Sequence, residues 1–498
     1  MTKVLEQLNT FVWGIPALVL ILGVGLYISV RTGFVQLRLL PRALKTFFAR
    51  LKGDKGASGT VTPFQALCTA LAATVGTGNL AGVAGAMAIG GPGAIFWMWV
   101  CALLGMATKF AEATLAVRYR VKEGREFAAG PMYMIREGLG KNWHWLAGVY
   151  SFFGIVAAFG VGNATQINAV ITGIRESCRF FGGELSRTGE LVLGIALAVT
   201  VLGMLLGGAK RIGTVAERLV PFAAAAYLLL GLGVLIARAE AIPSAFVAII
   251  QGAFSPRAVT GGAVGSVFAT LRIGVSRGVF TNEAGMGTAS IAHGSAQVEN
   301  PCDQGLMGIM EVFLDTIVIC TMTAVVILVS RVPIPYGSDV GAALTTEAFS
   351  SVCGGWVSVL IAGALCCFAF ATVLGWGLYG ARCAQYLFGP GAWKRFALLQ
   401  AVTVVLGAVL ETGTVWLLSE TVNGLMAIPN LVVLAALSPE LIRLTKEYIK
   451  GGDHESIHQC QSLRAVPYAE VPSAGCAGEK SRKNHLSFEH WPAGSSNP

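Results

Sequence analysis

From Pro63 to Gly91 the chain carries no charged side chain, and the run is long enough to cross a bilayer as a helix. Its middle is poorly suited to a helix. Thr74-Val75-Gly76-Thr77-Gly78-Asn79 places two glycines within three positions and an amide side chain directly after them. Each Gly costs roughly 1 kcal/mol relative to Ala in a helix interior, and backbone groups freed at membrane depth persist only where they line a cavity or bind something. The stretch has two readings. One is a broken helix that holds an ion; the other is a close-packed helix whose glycines admit a neighbour.

Composition decides the class. A chain of 498 residues with 54% hydrophobic and only 13% charged residues reads as a polytopic membrane protein. Gly at 63 positions suits closely packed helices, whereas the strands of a barrel would alternate in polarity, so the fold class is all-α. The net charge of +9 sits in a few loops that flank apolar segments. That is a topology signal and not a nucleic-acid footprint. The eleven Cys include no C-x-x-C pair and read as small core residues, although Cys178 and Cys353 fall on the same predicted side and could pair there.

The first apolar run, Phe11 to Val30, lacks a small-residue cleavage site and reads as a retained span. The cluster Arg31, Arg38, Arg42, Lys45, Arg50, Lys52 and Lys55 after it predicts a cytoplasmic loop and an N-terminus outside. The interrupted run follows, and Gly90-Gly91-Pro92-Gly93 turns the chain into the interfacial aromatics Phe96, Trp97 and Trp99 of the next span. Further spans are predicted near 145–173, 189–207, 213–236, 262–290, 304–330, 355–386, 395–411 and 414–438, about eleven in all. Every second loop is basic in outline, which leaves the C-terminus cytoplasmic. The segments 237–261 and 332–354 read as short interfacial helices outside. After about Gly451 the Gly, Ser, Pro and charge-rich tail reads as disordered.

Setting the first span aside leaves two groups of five, and the first span of each is interrupted. The second interruption falls between Arg272 and Gly287, with Gly274, nearest the middle of the predicted span, as the expected break. Charges on a spanning helix are expensive and usually functional. Arg277 and Glu283 therefore read either as a gate-side ion pair or as residues of the headgroup region. The predicted topology gives the two groups opposite orientation, and paired interruptions in inverted halves are a pointer to a transporter binding site. The chain divides accordingly into residues 1–60, an extra helix with its basic loop; 61–240, a first repeat; 241–445, a second, inverted repeat; and 446–498, the tail.

Several motifs carry a family resemblance. Gly90-Gly91-Pro92-Gly93-Ala94-Ile95-Phe96-Trp97-Met98-Trp99, Gly105-Met106-Ala107-Thr108-Lys109-Phe110, Arg277-Gly278 with Thr281-Asn282-Glu283-Ala284-Gly285-Met286-Gly287, and Asn423-Gly424-Leu425-Met426-Ala427-Ile428-Pro429-Asn430 resemble the signatures of the alanine or glycine:cation symporter family. The match runs from about residue 10 to 445. It implies a LeuT-type fold of inverted five-helix repeats and sodium-coupled uptake of small neutral amino acids, alanine and glycine, across the cell (inner) membrane.

The resemblance also distributes roles. The Thr74 carbonyl and the Asn79 side chain would serve one sodium, while the Ala72 and Val75 carbonyls would serve a second with Ala369 and the Thr372 hydroxyl. Hard cations prefer such oxygens. Val373 stands where a companion hydroxyl is expected, and Ala371 where relatives often carry one. The freed amides of Gly76, Thr77 and Gly78 begin a half-helix whose positive end can meet a substrate carboxylate. Asn163, Thr165, Gln166 and Asn168 form a polar cluster, of which the resemblance singles out Gln166 as a substrate contact; interhelical hydrogen bonding is the alternative. Trp376, one turn after Thr372 on the same face, would wall the pocket, with Leu271, one turn before Gly274, as a second wall.

Other classes fit less well. No H-E-x-x-H or nucleophile–base arrangement points to an enzyme, and no continuous polar lining points to a channel. Proton coupling would need an intramembrane carboxylate or His. Glu112, Glu311, Asp315 and Glu420 qualify, but none neighbours Thr74–Asn79 in sequence, which leaves sodium the preferred ion.

Overall fold

The computed structural model describes residues 7, 9, 11–51, 61–123, 126–338, 341–410 and 413–452. The described chain is helical throughout, apart from one short hairpin, β1 (Val121–Glu123) with β2 (Glu126–Ala128). Helix α1 (Ile15–Arg31) leads to α2 (Leu40–Leu51), whose basic and apolar faces suit a membrane surface. The broken helix comprises α3 (Pro63–Thr74), a π turn at Gly78–Gly82 and α4 (Val83–Gly90). Then follow α5 (Ala94–Arg118), α6 (Pro131–Gly138), α7 (His144–Phe159) running through a π turn into α8 (Thr165–Phe180), α9 (Arg187–Leu205), α10 (Gly208–Ala237) and α11 (Ile242–Phe254). The second half holds α12 (Val267–Asn282), α13 (Thr288–His293), α14 (Pro301–Val312) running through the π turn Phe313–Cys320 into α15 (Thr321–Ser330), α16 (Ala343–Cys353), α17 (Val357–Phe388), α18 (Ala392–Val409), α19 (Gly413–Ala436) and α20 (Ser438–Gly452).

Among the described residues seven helical runs are long and apolar enough to cross a membrane alone, α7 with α8 and α14 with α15 each counting as one, and α3 with α4 does so as a pair bent by 52°. With α1, α12 and α19 the helices fall at the predicted positions. Outward faces show which solvent they meet. α9, α10 and α18 expose Val192, Val199, Phe222, Leu229, Ile236, Leu398 and Val402, while turning Gly194, Ala198 and Gly231 inward. Large apolar side chains outside and small ones inside is the arrangement expected of helices packed in lipid.

The interior is built from α3/α4, α5, α12/α13, α14 and α17. α3 starts from a capping box, in which Thr62 Oγ1 accepts from Gln65 N at 3.1 Å and Gln65 Oε1 accepts from Thr62 N at 3.2 Å, with Pro63 at the first helical position. α5 and α14 lie against each other with little room between them. A Cβ on Gly308 would come 2.7 Å from the Lys109 carbonyl oxygen, and one on Gly305 would come 2.7 Å from the Phe110 ring.

Four expectations are corrected here. α12 passes through Gly274 unbroken, because that glycine serves close packing: a Cβ there would lie 2.4 Å from the Ala94 carbonyl oxygen and 2.7 Å from Trp97 Cβ. The break comes later, where Glu283, Gly285 and Gly287 take positive φ values of 53°, 94° and 79°. Glu283 does not pair with Arg277; its oxygens accept from Trp376 and Thr288, and it is buried inside the helix bundle. Cys178 and Cys353 are both free. Residues 446–452 continue α20, and the tail beyond Gly452 lies outside the described residues.

Candidate functional site

The first break is a consequence of local chemistry. The last helical bond of α3 runs from Val75 N to Leu71 O at 2.7 Å, after which Val75 turns to extended backbone with ψ 100°. The carbonyls of Ala72, Ala73 and Thr74 are thus end-of-helix carbonyls, the groups a helix terminus leaves for outside partners. Asn79 folds back over the gap, its Oδ1 accepting from Gly76 N at 2.9 Å. One of the three predicted carboxylate-binding amides is therefore already occupied, and those of Thr77 and Gly78 remain.

The other end of the Asn79 amide reaches Asp315, which the sequence offered as an intramembrane carboxylate but did not place at the break. Nδ2 donates to Asp315 Oδ1 at 2.7 Å and lies 3.3 Å from the Asp315 carbonyl oxygen. Asp315 Oδ2 accepts from Thr316 Oγ1 at 2.8 Å, and Thr316 Oγ1 accepts from Asn282 Nδ2 at 3.2 Å. All four side chains are fully buried. Thr281, one residue before Asn282, stands against the break, since a Cβ on Gly78 would come 3.2 Å from its Cγ2. A carboxylate, a hydroxyl and a second amide are linked to Asn79 just past the carbonyl end of α3, and Asn79 Oδ1 keeps a second lone pair. Such an oxygen set suits a hard cation.

On the opposite side α17 packs along the end of α3. A Cβ on Gly375 would come 3.0 Å from the Ala73 nitrogen, and one on Gly76 would come 2.8 Å from Thr372 Oγ1. Gly76 therefore admits Thr372 to the break, and the buried Ala369 lies nearly one turn before Thr372 on the same helix. Gln166 reaches the same place from α8: its Oε1 is 3.4 Å from Thr77 Oγ1, and its Nε2 donates to Val161 O at 3.1 Å. Asn163 instead donates to Gln400 O at 2.8 Å, as the interhelical reading predicted.

Trp376 links this group to the second break. A Cβ on Gly162 would come 2.3 Å from Trp376 Cβ, so the indole lies directly on the π turn before Gln166. Its Nε1 donates to Glu283 Oε1 at 3.0 Å, and Thr288 Oγ1 donates to Glu283 Oε2 at 2.6 Å. Leu271 and Gly274 are not brought here. Leu271 lies ten residues before Thr281 on unbroken α12, about 15 Å along the axis.

A cavity of about 600 Å³ opens onto the break, lined by Thr77, Gly78, Thr165, Asn168, Arg277 and Phe280 among others. It lies along α4 and the end of α8, away from the end of the molecule where α2 sits. Its size is ordinary for a small-molecule site.

The second break is held differently. Glu112 Oε1, from the last third of α5, accepts from Gly285 N and Gly287 N at 3.0 Å each and from Asn430 Nδ2 at 2.7 Å. Asn430 Nδ2 also donates to Gly285 O at 2.8 Å. The signal in the sequence was a lone carboxylate inside an apolar span, which the charge of Glu112 supplied without its partner.

The fold and this arrangement agree with known proteins. The model of the sodium:alanine symporter family matches residues 1–461. A sodium/alanine symporter of Methanococcus maripaludis is 41% identical over 90% of this chain and 97% of its own. An amino-acid carrier protein of Bacillus subtilis is 36% identical over 89% and 91%. The crystal structure of MhsT in complex with L-phenylalanine superposes with a TM-score of 0.54 at 15% identity, covering 79% of this chain and 99% of that one, which places the fold in the LeuT-type class with its inverted repeats. An integral membrane transporter that couples amino-acid movement to sodium, and not an enzyme, is what these likenesses establish: the chain belongs to the sodium:alanine symporter family.

Proposed function

We propose that the chain imports small neutral amino acids, alanine and glycine, together with sodium, by alternating access in the cell membrane with its basic loops cytoplasmic. The observation that carries the reading is the convergence of Asn79, Asp315 and the carbonyl end of α3 on one side of the first break, with Gly76, Thr77, Gln166 and Thr372 on the other. Sodium enters as a co-substrate. Thr74 O, Asn79 Oδ1 and Asp315 serve one ion, and the Ala72 and Val75 carbonyls with Ala369 and Thr372 serve another. The Thr77 and Gly78 amides meet the substrate carboxylate, Gln166 takes the ammonium, and Trp376 limits the side chain. One sodium moving down ~100 mV supplies about 2.3 kcal/mol, roughly a fiftyfold accumulation of a neutral solute.

The contact of Asp315 with Asn79 gives proton coupling a specific footing, because it puts a buried carboxylate at the break. Uptake of labelled alanine and glycine into proteoliposomes separates the readings. A sodium gradient alone should drive accumulation; accumulation driven by a proton gradient alone would overturn the sodium assignment.

A further inference from the structure

A chain of buried polar groups crosses four elements between the second break and the end of the molecule where α2 sits. Lys109 Nζ on α5 donates to Glu311 Oε1 on α14 at 2.8 Å. Glu311 Oε2 lies 2.9 Å from His293 Nε2, at the end of α13. Gln304 Nε2, near the start of α14, lies 2.7 Å from His293 Nδ1 and 3.4 Å from the carbonyl oxygen of Pro63, the first residue of α3. All four side chains are fully buried. An amide nitrogen only donates, so His293 Nδ1 accepts from Gln304 and Nε2 carries the hydrogen given to Glu311.

The chain has a fixed part and a part that can separate. Lys109 and Glu311 sit on α5 and α14, whose glycine-mediated contact leaves no slack at Gly305 and Gly308. Parting that ion pair would strand a buried charge, which is strongly unfavourable. His293 and Pro63 belong instead to the half-helices α13 and α3, and each is joined to the scaffold by neutral groups or through one carboxylate oxygen. When His293 withdraws, Glu311 keeps Lys109 and no charge is left unpaired. A second layer repeats the pattern nearer the surface. Arg120, just beyond α5, donates to the carbonyls of Gly294, Ala296 and Val298, which follow α13, and Gln297 N donates to Val61 O at 3.0 Å. The same two half-helices are thereby tied to each other and to the end of α5.

We propose that His293 and Gln304 are positioning residues forming the latch that holds α3 and α13 closed while the cavity at Thr77 is open, and that their separation from Glu311 and Pro63 accompanies opening of the other side. This rests on the alternating-access reading.

The test uses the full chain purified in detergent, carrying either Ser295→Cys beside the latch or Thr172→Cys in the cavity wall. Maleimide labelling is read peptide by peptide, so the native cysteines do not interfere. His293→Leu should speed labelling of the Ser295→Cys site at least fivefold, about 1 kcal/mol of shift between two states, and slow labelling of the Thr172→Cys site. Gln304→Leu, which removes the Pro63 tie, should do the same more weakly and stands in if His293→Leu does not give monodisperse protein. Unchanged rates at both sites would overturn the proposal. So would a gain at the first site with no loss at the second, since that marks general loosening. Sodium-driven uptake by the parent chain is scored separately, so a wrong coupling ion fails there and leaves the labelling readout standing.

Discussion

The two helix breaks differ in what satisfies their freed backbone groups. At the first, Asn79 takes the Gly76 amide, and Thr77 and Gly78 line the cavity. At the second, Glu112 takes the Gly285 and Gly287 amides, Asn430 takes the Gly285 carbonyl, Asn282 takes the Ala284 amide, and Glu283 is held by Trp376 and Thr288. In the reading proposed above, one interruption offers its groups to solutes; the other is a joint fixed by the protein's own side chains. Inverted repeats thus place two similar interruptions together, and local side chains decide which becomes a binding site.

The largest expected effect breaks the joint. Glu112→Ala leaves two buried N–H groups and the Asn430 amide without their acceptor, a loss of about 3–5 kcal/mol. Melting of the purified protein should fall sharply, whereas Glu112→Gln, which retains a carbonyl acceptor, should remain folded. A Glu112→Ala protein that melts like the parent would mean the second break needs no such clamp.

Asp315→Asn probes the other side of the comparison. Replacing a charged acceptor by a neutral one should cost sodium about 1.5–3 kcal/mol, an increase of roughly 10–150-fold in the sodium concentration for half-maximal uptake. Melting without sodium should change little. An unaltered sodium dependence would remove Asp315 from the ion cluster and return that role to Asn79 and the carbonyls alone.

How much of this could be read from the chain follows from the range of the interactions. The first break was legible because Gly76, Gly78 and Asn79 act on backbone within three residues. The second was placed at Gly274, about three turns too early, because a glycine in an apolar helix can mark either a bend or a close neighbour. Only Ala94 and Trp97, far off in sequence, show that it is the latter. Asp315 could be recognised as an intramembrane carboxylate, but its partner Asn79 lies 236 residues away. The pairing of Trp376 with Glu283 spans 93 residues, and no periodicity in α17 signals it. The pattern of apolar runs and basic loops carried the helix positions, since those depend on solvent and length.

Gly274→Ala sharpens the corrected position. A methyl group there must displace the Ala94 carbonyl and Trp97, an overpacking expected to cost about 1–3 kcal/mol. Melting should drop accordingly, while the sodium concentration for half-maximal uptake stays at the parental value. A change in sodium dependence larger than the change in stability would restore Gly274 to the site.

The smallest effect concerns substrate size, and it depends on both breaks together. Trp376 rests on Gly162 beneath and is oriented by Glu283 from the second break, so the joint sets the position of the indole that is proposed to wall the pocket at the first. Trp376→Phe keeps an aromatic body, removes the Nε1–H donor and leaves Glu283 with Thr288 as its remaining partner. A pocket wall discriminates one methylene by only ~1–3 kcal/mol. The preference for alanine over its homologue one methylene longer should therefore narrow by about tenfold, toward the lower end of that range, read as the ratio of kcat/KM values for sodium-driven uptake. Sodium dependence should not move, because no ion-cluster atom is altered. If selectivity is unchanged while sodium dependence shifts, the coupling between the breaks runs through Glu283 to the ion cluster and not through the pocket wall.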